Sequence, residues 1–131
     1  MQMGIMAEQA GTGRTILVVE DEAIVAMLVE DILLTLGHGV AGPASTLAEA
    51  RALVADGNTL DAALLDMNVA GESIFPFARE LRGLGVPLIF ASGYGQSGAP
   101  EEFRDCVIVQ KPFTDTDIEN ALNRIFPAAE S

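Results

Sequence analysis

The sequence predicts a doubly wound α/β sandwich, five parallel strands with helices on both faces. Two patterns carry that prediction. From Thr15 onward, short apolar runs rich in β-branched residues take turns with segments of helical spacing, the alternation expected of a parallel sheet. The apolar runs are continuous rather than alternating, as strands are when helices cover both faces. Length and composition agree. The chain has 131 residues, half of them hydrophobic, and a mean hydropathy of +0.34, which suits one domain with its own core.

The elements follow in order. Ile16-Leu17-Val18-Val19 is the first strand and ends abruptly in Glu20-Asp21-Glu22. Ile24, Leu28, Ile32 and Leu36 then recur at helical spacing, with Gly37 as the stop. A weak strand over His38–Ala41 leads to Ala44-Ser45. Thr46-Leu47-Ala48-Glu49 has the form of a capping box opening a helix to about Ala55. Asp56-Gly57-Asn58 is its exit, and Ala62-Ala63-Leu64-Leu65 is a buried strand ending at Asp66. A helix through Ile74, Phe77, Ala78 and Leu81 closes at Gly83. Val86–Ala91 is the fourth strand and Val107–Val109 the fifth. Between them Gly93, Gly95, Gly98 and Pro100 leave Glu101–Asp105 as a short or irregular fourth helix. The last helix starts at the Thr114/Asp115 cap and carries Ile118, Leu122 and Ile125 on one stripe. The expected organisation is a flexible N-terminal arm over 1–14, the folded unit over 15–127 and a short tail over 128–131.

Charge and composition exclude several roles. Nineteen acidic residues against seven basic ones give a net charge of −12, which repels phosphate backbones and anionic lipid heads. Neither nucleic acid nor membrane is therefore an expected partner. The start lacks the basic end and apolar block of a signal peptide, and no run approaches the roughly 18–20 residues that span a bilayer. The single cysteine, Cys106, permits no internal disulfide and fits a reducing cytosol, so a cytoplasmic location is expected.

In open parallel sheets, ligands bind beyond the carboxyl ends of the strands. Those ends carry Glu20 and Asp21, Asp66, Ser92, and Lys111, the only lysine of the chain. In the strand order 2-1-3-4-5 the contributing strands are neighbours. A strand-end carboxylate by itself commonly serves as a helix cap or a solvated charge. Three carboxylates, a hydroxyl and the solitary lysine at neighbouring ends are a different matter, and Asp66 closes an apolar run where an idle charge is costly. Converging carboxylates call for a hard divalent cation, and Mg²⁺ suits a site with few protein ligands. Asp66 can then act as a carboxylate nucleophile on phosphorus, with charge on the transferred group shared by the cation, Lys111 and Ser92.

These residues resemble the receiver domain of two-component response regulators. Ile16–Glu22 is similar to the family's first strand and acidic pair, Ala63–Asn68 to its phosphoacceptor strand, and Val109-Gln110-Lys111-Pro112-Phe113 to its lysine-proline-phenylalanine motif. The resemblance covers about residues 15 to 127. It implies a flavodoxin-like fold in which Asp66 is phosphorylated by a histidine kinase or a histidine phosphotransfer protein. It further implies that Asp21, Asp66 and the backbone carbonyl of Asn68 bind Mg²⁺ (or Mn²⁺), with Glu20 acting through water. Ser92 would be the switch hydroxyl, Lys111 the phosphoryl contact, and the Lys111–Pro112 peptide cis. Pro87–Gly95 resembles the "FAT GUY" subgroup (Phe-Ala-Thr-Gly-Tyr), with Ser92 in place of threonine. Its members are often single-domain regulators paired with HWE-type kinases in alphaproteobacteria. The family's switch aromatic, three residues before the lysine, is replaced by Ile108, which leaves Tyr94 as the nearest aromatic candidate.

The leading expectation is thus a stand-alone phosphoacceptor, not an enzyme beyond slow self-dephosphorylation, which signals by protein contact or drains phosphate as a sink. One alternative is a receiver-like binding module independent of phosphorylation. Another is a haloacid-dehalogenase-type aspartyl phosphatase, which needs an acid two residues after the nucleophile, where Asn68 stands. A flavin-binding role would share the fold but finds no phosphate loop here. His38 is expected in a turn or at a strand edge, Cys106 as a small semi-buried filler, and Met27 and Met67 beside apolar neighbours.

Overall fold

The computed structural model describes residues 13–93 and 98–126; Tyr94 lies outside them, as do most of the expected arm and the expected tail. β1 (Thr15–Val19) pairs in parallel with β2 (Gly39–Ala44) on one side and with β3 (Ala62–Asp66), the middle strand of the sheet, on the other. β6 (Leu88–Ser92) extends the sheet beyond β3, and β7 (Val107–Gln110) forms its edge. The order β2-β1-β3-β6-β7 is the expected 2-1-3-4-5 arrangement. The numbers differ because a small antiparallel hairpin, β4 (Asn68–Val69) and β5 (Glu72–Ser73), follows β3.

Among the described residues four α-helices cover the sheet: α1 (Ala23–Thr35), α2 (Leu47–Ala55), α3 (Phe75–Gly83) and α4 (Asp115–Ile125). The strands divide their side chains between two cores, as period-2 geometry requires. Leu17, Val19, Leu65 and Phe90 pack with Leu47 and Ala50 of α2 and with Phe77, Ala78 and Leu81 of α3. Ile16, Val18, Leu64 and Ile89 pack on the other face with Val29, Ile32 and Leu33 of α1 and Ile118 and Leu122 of α4. Ile16–Val19 are fully enclosed, which is why those strands read as unbroken apolar runs.

The fourth helix is reduced to one 3-10 turn, Glu101–Phe103. Two arginines of α3 and a ring trio hold it. Arg79 pairs with Glu102 at 2.9 Å, and Arg82 donates to the Glu102 carbonyl at 2.9 Å and lies 4.6 Å from the Phe103 ring centre. Phe103 meets Phe75 and Phe90 at 5.5 and 5.4 Å between ring centres.

Three local expectations are corrected. α1 buries Ala26, Val29, Ile32 and Leu33, not the Ile24–Leu28 line: Ile24 is 83% exposed and Leu28 44%. Ten of its 13 residues are apolar, so periodicity lacks the polar contrast that would choose a face. Met27 is 67% exposed, whereas Met67 packs against the α2/α3 core. At α2, Thr46 accepts from the Glu49 amide at 3.1 Å, but the Glu49 carboxylate turns to the Ser45 amide at 2.7 Å instead of closing on Thr46. The reciprocal box forms at α4, between Thr114 and Asp117.

Gly42 is required by geometry. Its φ is +96°, and a Cβ there would stand 2.6 Å from the Ala44 nitrogen. It lies on the β1–β2 register shift and precedes a cis bond to Pro43. Among the described residues no helix is long and apolar enough to cross a membrane.

Candidate functional site

The carboxyl ends of β1, β3, β6 and β7 meet at one rim. Glu20 follows β1 and is 3% exposed. One of its oxygens accepts from the Glu22 amide at 3.0 Å and the other meets the Lys111 ammonium at 3.0 Å. Asp66 ends β3 and lies 3.3 Å from the same ammonium. Asp21 is exposed, and its Oδ2 accepts from the Ala70 amide at 2.9 Å. Glu20, Asp21 and Asp66 each place an oxygen within 4.8 Å of the others.

Burial sets the electrostatics. It pushes the Glu20 and Asp66 carboxyls above their ordinary values, with Lys111 pulling against the rise in both. Burial would lower Lys111, but Glu20 and Asp66 outweigh it and hold the ammonium above its usual value. The pair favours charge, yet the carboxylates are taken from water at a cost their one cation does not cover.

Lys111 is placed by backbone as well as charge. Its amide donates to the Ser92 carbonyl at 2.8 Å, and the peptide to Pro112 is cis. Ser92 is 3% exposed at the end of β6. With Met67, Asn68, Ser73, Phe75, Gly93 and Gly98 it lines a cavity of about 280 Å³. Asn68 opens the hairpin two residues after Asp66. Ile108 pairs in register with Phe90 and is half-buried against the α2/α3 core.

Two participants escaped sequence reasoning. Glu22 lies 3.5 Å from Lys111; its adjacency to the acidic pair was the only signal. Ala70 had none, since its role belongs to its backbone amide. The unassigned residues sit apart. His38 accepts on Nδ1 from the Arg14 amide at 3.2 Å, and burial together with the Arg14 charge lowers its pKa. Burial pushes the Cys106 thiol up, so it is no ready nucleophile.

Three oxygen donors this close, one of them open to solvent, can hold a hard cation that keeps part of its water. Fold and rim together define a parallel α/β protein with a strand-end acid pocket. No family model matches the chain. The solution structure of SdrG from Sphingomonas melonis Fr1 is similar at a TM-score of 0.78 and 38% identity, over 88% of this chain and 98% of that one. A BeF3-activated conformation of SdrG matches at 0.73 and 38% identity, over 85% and 94%. The receiver domain of PhyR from Erythrobacter litoralis matches at 0.77 and 29%, over 93% and 97%. Phyllosphere-induced regulator PhyR of Methylorubrum extorquens is 29% identical over 117 residues, 83% of this chain but only 42% of that protein. The chain thus spans less than half the length of that curated relative. It belongs to the receiver domains of response regulators.

Proposed function

We propose that this receiver accepts a phosphoryl group on Asp66 from a phosphohistidine donor, a histidine kinase or a histidine phosphotransfer protein. The observation that carries the reading is the shared ammonium of Lys111, within 3.3 Å of both Glu20 and Asp66 at the rim. In the reaction a carboxylate oxygen of Asp66 forms a bond to phosphorus while the nitrogen–phosphorus bond of the donor breaks. The histidine leaves and takes a proton on its freed nitrogen. Lys111 moves its charge onto the incoming phosphoryl oxygens, and the Ser92 hydroxyl donates to one of them. Mg²⁺, or Mn²⁺ in its place, held by Glu20 through water and by Asp21, Asp66 and the Asn68 carbonyl, would supply the remaining neutralisation. A similar chain, SdrG, has a BeF3-activated conformation, which supports the reading.

The donor side is supported by the surface beside the rim. Ile24, Met27, Leu28 and Leu34 are four of the five large hydrophobics exposed among the described residues. All lie on α1, which begins one residue after Glu22. An apolar stripe running from the rim suits a protein donor, and the FAT GUY-like segment favours an HWE-type kinase. The test is phosphotransfer from a phosphorylated histidine kinase with Mg²⁺, read by intact mass and peptide mapping. A single phosphoryl group on Asp66, absent from Asp66→Asn, is the expected result. Equal labelling of Asp66→Asn, or release of phosphate with steady turnover of a phosphomonoester, would overturn the proposal.

A further inference from the structure

Asp21 differs from its two neighbours in how it is held. Glu20 is gripped by the Glu22 amide and Lys111, and Asp66 by Lys111. The exposed carboxylate of Asp21 makes one hydrogen bond among the described residues, from the Ala70 amide at 2.9 Å. Ala70 is unusual in its own right. Its φ of 52° is the only positive value at a non-glycine among the described residues. It forms, with Gly71 at φ 82°, the turn of the β4–β5 hairpin, in which Asn68 pairs with Ser73 and Val69 with Glu72. Two successive positive φ values make a type I′ turn, which asparagine-glycine fills most readily and alanine only with backbone strain. Strain of this kind persists where surroundings over-determine it, often at functional rims. Here the strained residue is the one whose amide meets Asp21.

We infer that the Ala70 amide is a positioning group. It aims the Asp21 carboxylate into the acid cluster, and the Asn68–Ser73 hairpin braces the cation site through that bond. The inference rests on the cation reading of Glu20, Asp21 and Asp66. Donors behind a ligating carboxylate fix its orientation, and their loss typically weakens metal affinity by about 10–100-fold. Without the bond, Asp21 loses the one hydrogen bond that the described residues give its carboxylate. The brace also ties the loop after β1 to the loop after β3, so that Asp21 and the residues following Asp66 move together.

The experiment removes one atom pair. In the full chain, Ala70 is replaced by lactic acid through nonsense suppression, which turns its amide into an ester and deletes the N–H while leaving the turn's side chains unchanged. Mg²⁺ chloride alone is titrated and followed by amide chemical shifts, and urea unfolding in EDTA monitors the fold. The ester is expected to weaken Mg²⁺ binding about tenfold, with unfolding in EDTA little changed. Ala70→Gly keeps the N–H, relieves the strain and should bind within about twofold of the wild type. Ester binding equal to wild type, or equal weakening by Ala70→Gly, overturns the inference while the cation reading stands. Failure of the wild type to bind Mg²⁺ overturns both. If the ester does not fold, linkage offers a second measurement: a bond that favours the cation must itself be favoured by it. Mg²⁺ then slows hydrogen exchange of the Ala70 amide in the wild-type protein, and unchanged or faster exchange refutes the brace.

Discussion

Replacing Lys111 with methionine keeps the aliphatic stem and deletes the one cation that the described residues place in the acid pocket. The ammonium lies 3.0 Å from Glu20 and 3.3 Å from Asp66, side chains that are 3% and 13% exposed beside a lysine at 18%. At an effective dielectric of about 20 each contact carries about 5 kcal/mol of gross Coulomb attraction. Desolvation of the three groups offsets most of that. Breaking a fully buried pair costs about 3–5 kcal/mol, and residual exposure here places the loss at about 2–3 kcal/mol. The pH dependence follows from sign. Burial already raises Glu20 and Asp66, and Lys111 opposes the rise, so its removal raises them further. Carboxyls raised in the folded state bind protons more tightly than in the unfolded chain, and the stability they contribute is lost as pH rises through the folded value. The Lys111→Met deficit is therefore largest at about pH 8 and shrinks toward about pH 5. Urea unfolding of both proteins in EDTA at the two pH values measures it. An equal deficit at both, or none at pH 8, would refute this electrostatic account.

Three further outcomes are expected. Phe103→Ala removes a fully buried ring that contacts Phe75, Phe90 and the Arg82 guanidinium. It should cost about 3–4 kcal/mol in urea unfolding, with amide protection lost first over Glu101–Phe103. Thr114→Ala breaks the capping box of α4 and should cost about 1 kcal/mol, read as a lower melting temperature at an unchanged m-value. Met27→Glu, at a position 67% exposed, should leave unfolding unchanged. It should slow transfer from a phosphohistidine protein by about tenfold, the effect of an ordinary interface anchor, without altering labelling by acetyl phosphate.

The sheet was legible because its strands are enclosed. Ile16–Val19 and Ala62–Leu65 can be read as strands since no solvent face interrupts them. The residue after such a run stands at the rim, which makes Glu20, Asp66 and Lys111 readable as neighbours once the strand order is known. The failures share a different physics. α1 is apolar nearly all round, so its exposed stripe of Ile24, Met27 and Leu28 could not be told from its buried one. The hairpin after Asp66 has two-residue strands and a turn led by alanine, below the length and against the residue preference by which hairpins announce themselves. Glu49 chose Ser45 over Thr46 within a single turn, a choice spacing does not encode.

Three of the six arginines are engaged away from this pocket. Arg51 pairs with Glu80, Arg79 with Glu102 and Arg82 with Asp105, all on α2, α3 and the segment around the 3-10 turn. None of these pairs is at the rim, where among the described residues Lys111 alone pairs with Glu20, Asp66 and, at 3.5 Å, Glu22. A guanidinium is a planar fork suited to one carboxylate edge, whereas an ammonium directs three donors from a point. Lysine therefore fits a position with three carboxylates around it. One positive charge among those three and Asp21 still leaves the pocket anionic; burial is the main cause that raises the Glu20 and Asp66 carboxyls, and the neighbouring acids add to it. An arriving phosphoryl group would deepen the negative charge. Glu20, Asp21 and Asp66 place their oxygens close enough to hold a second cation, and Asp21 is the exposed member of the three, bonded among the described residues by the Ala70 amide.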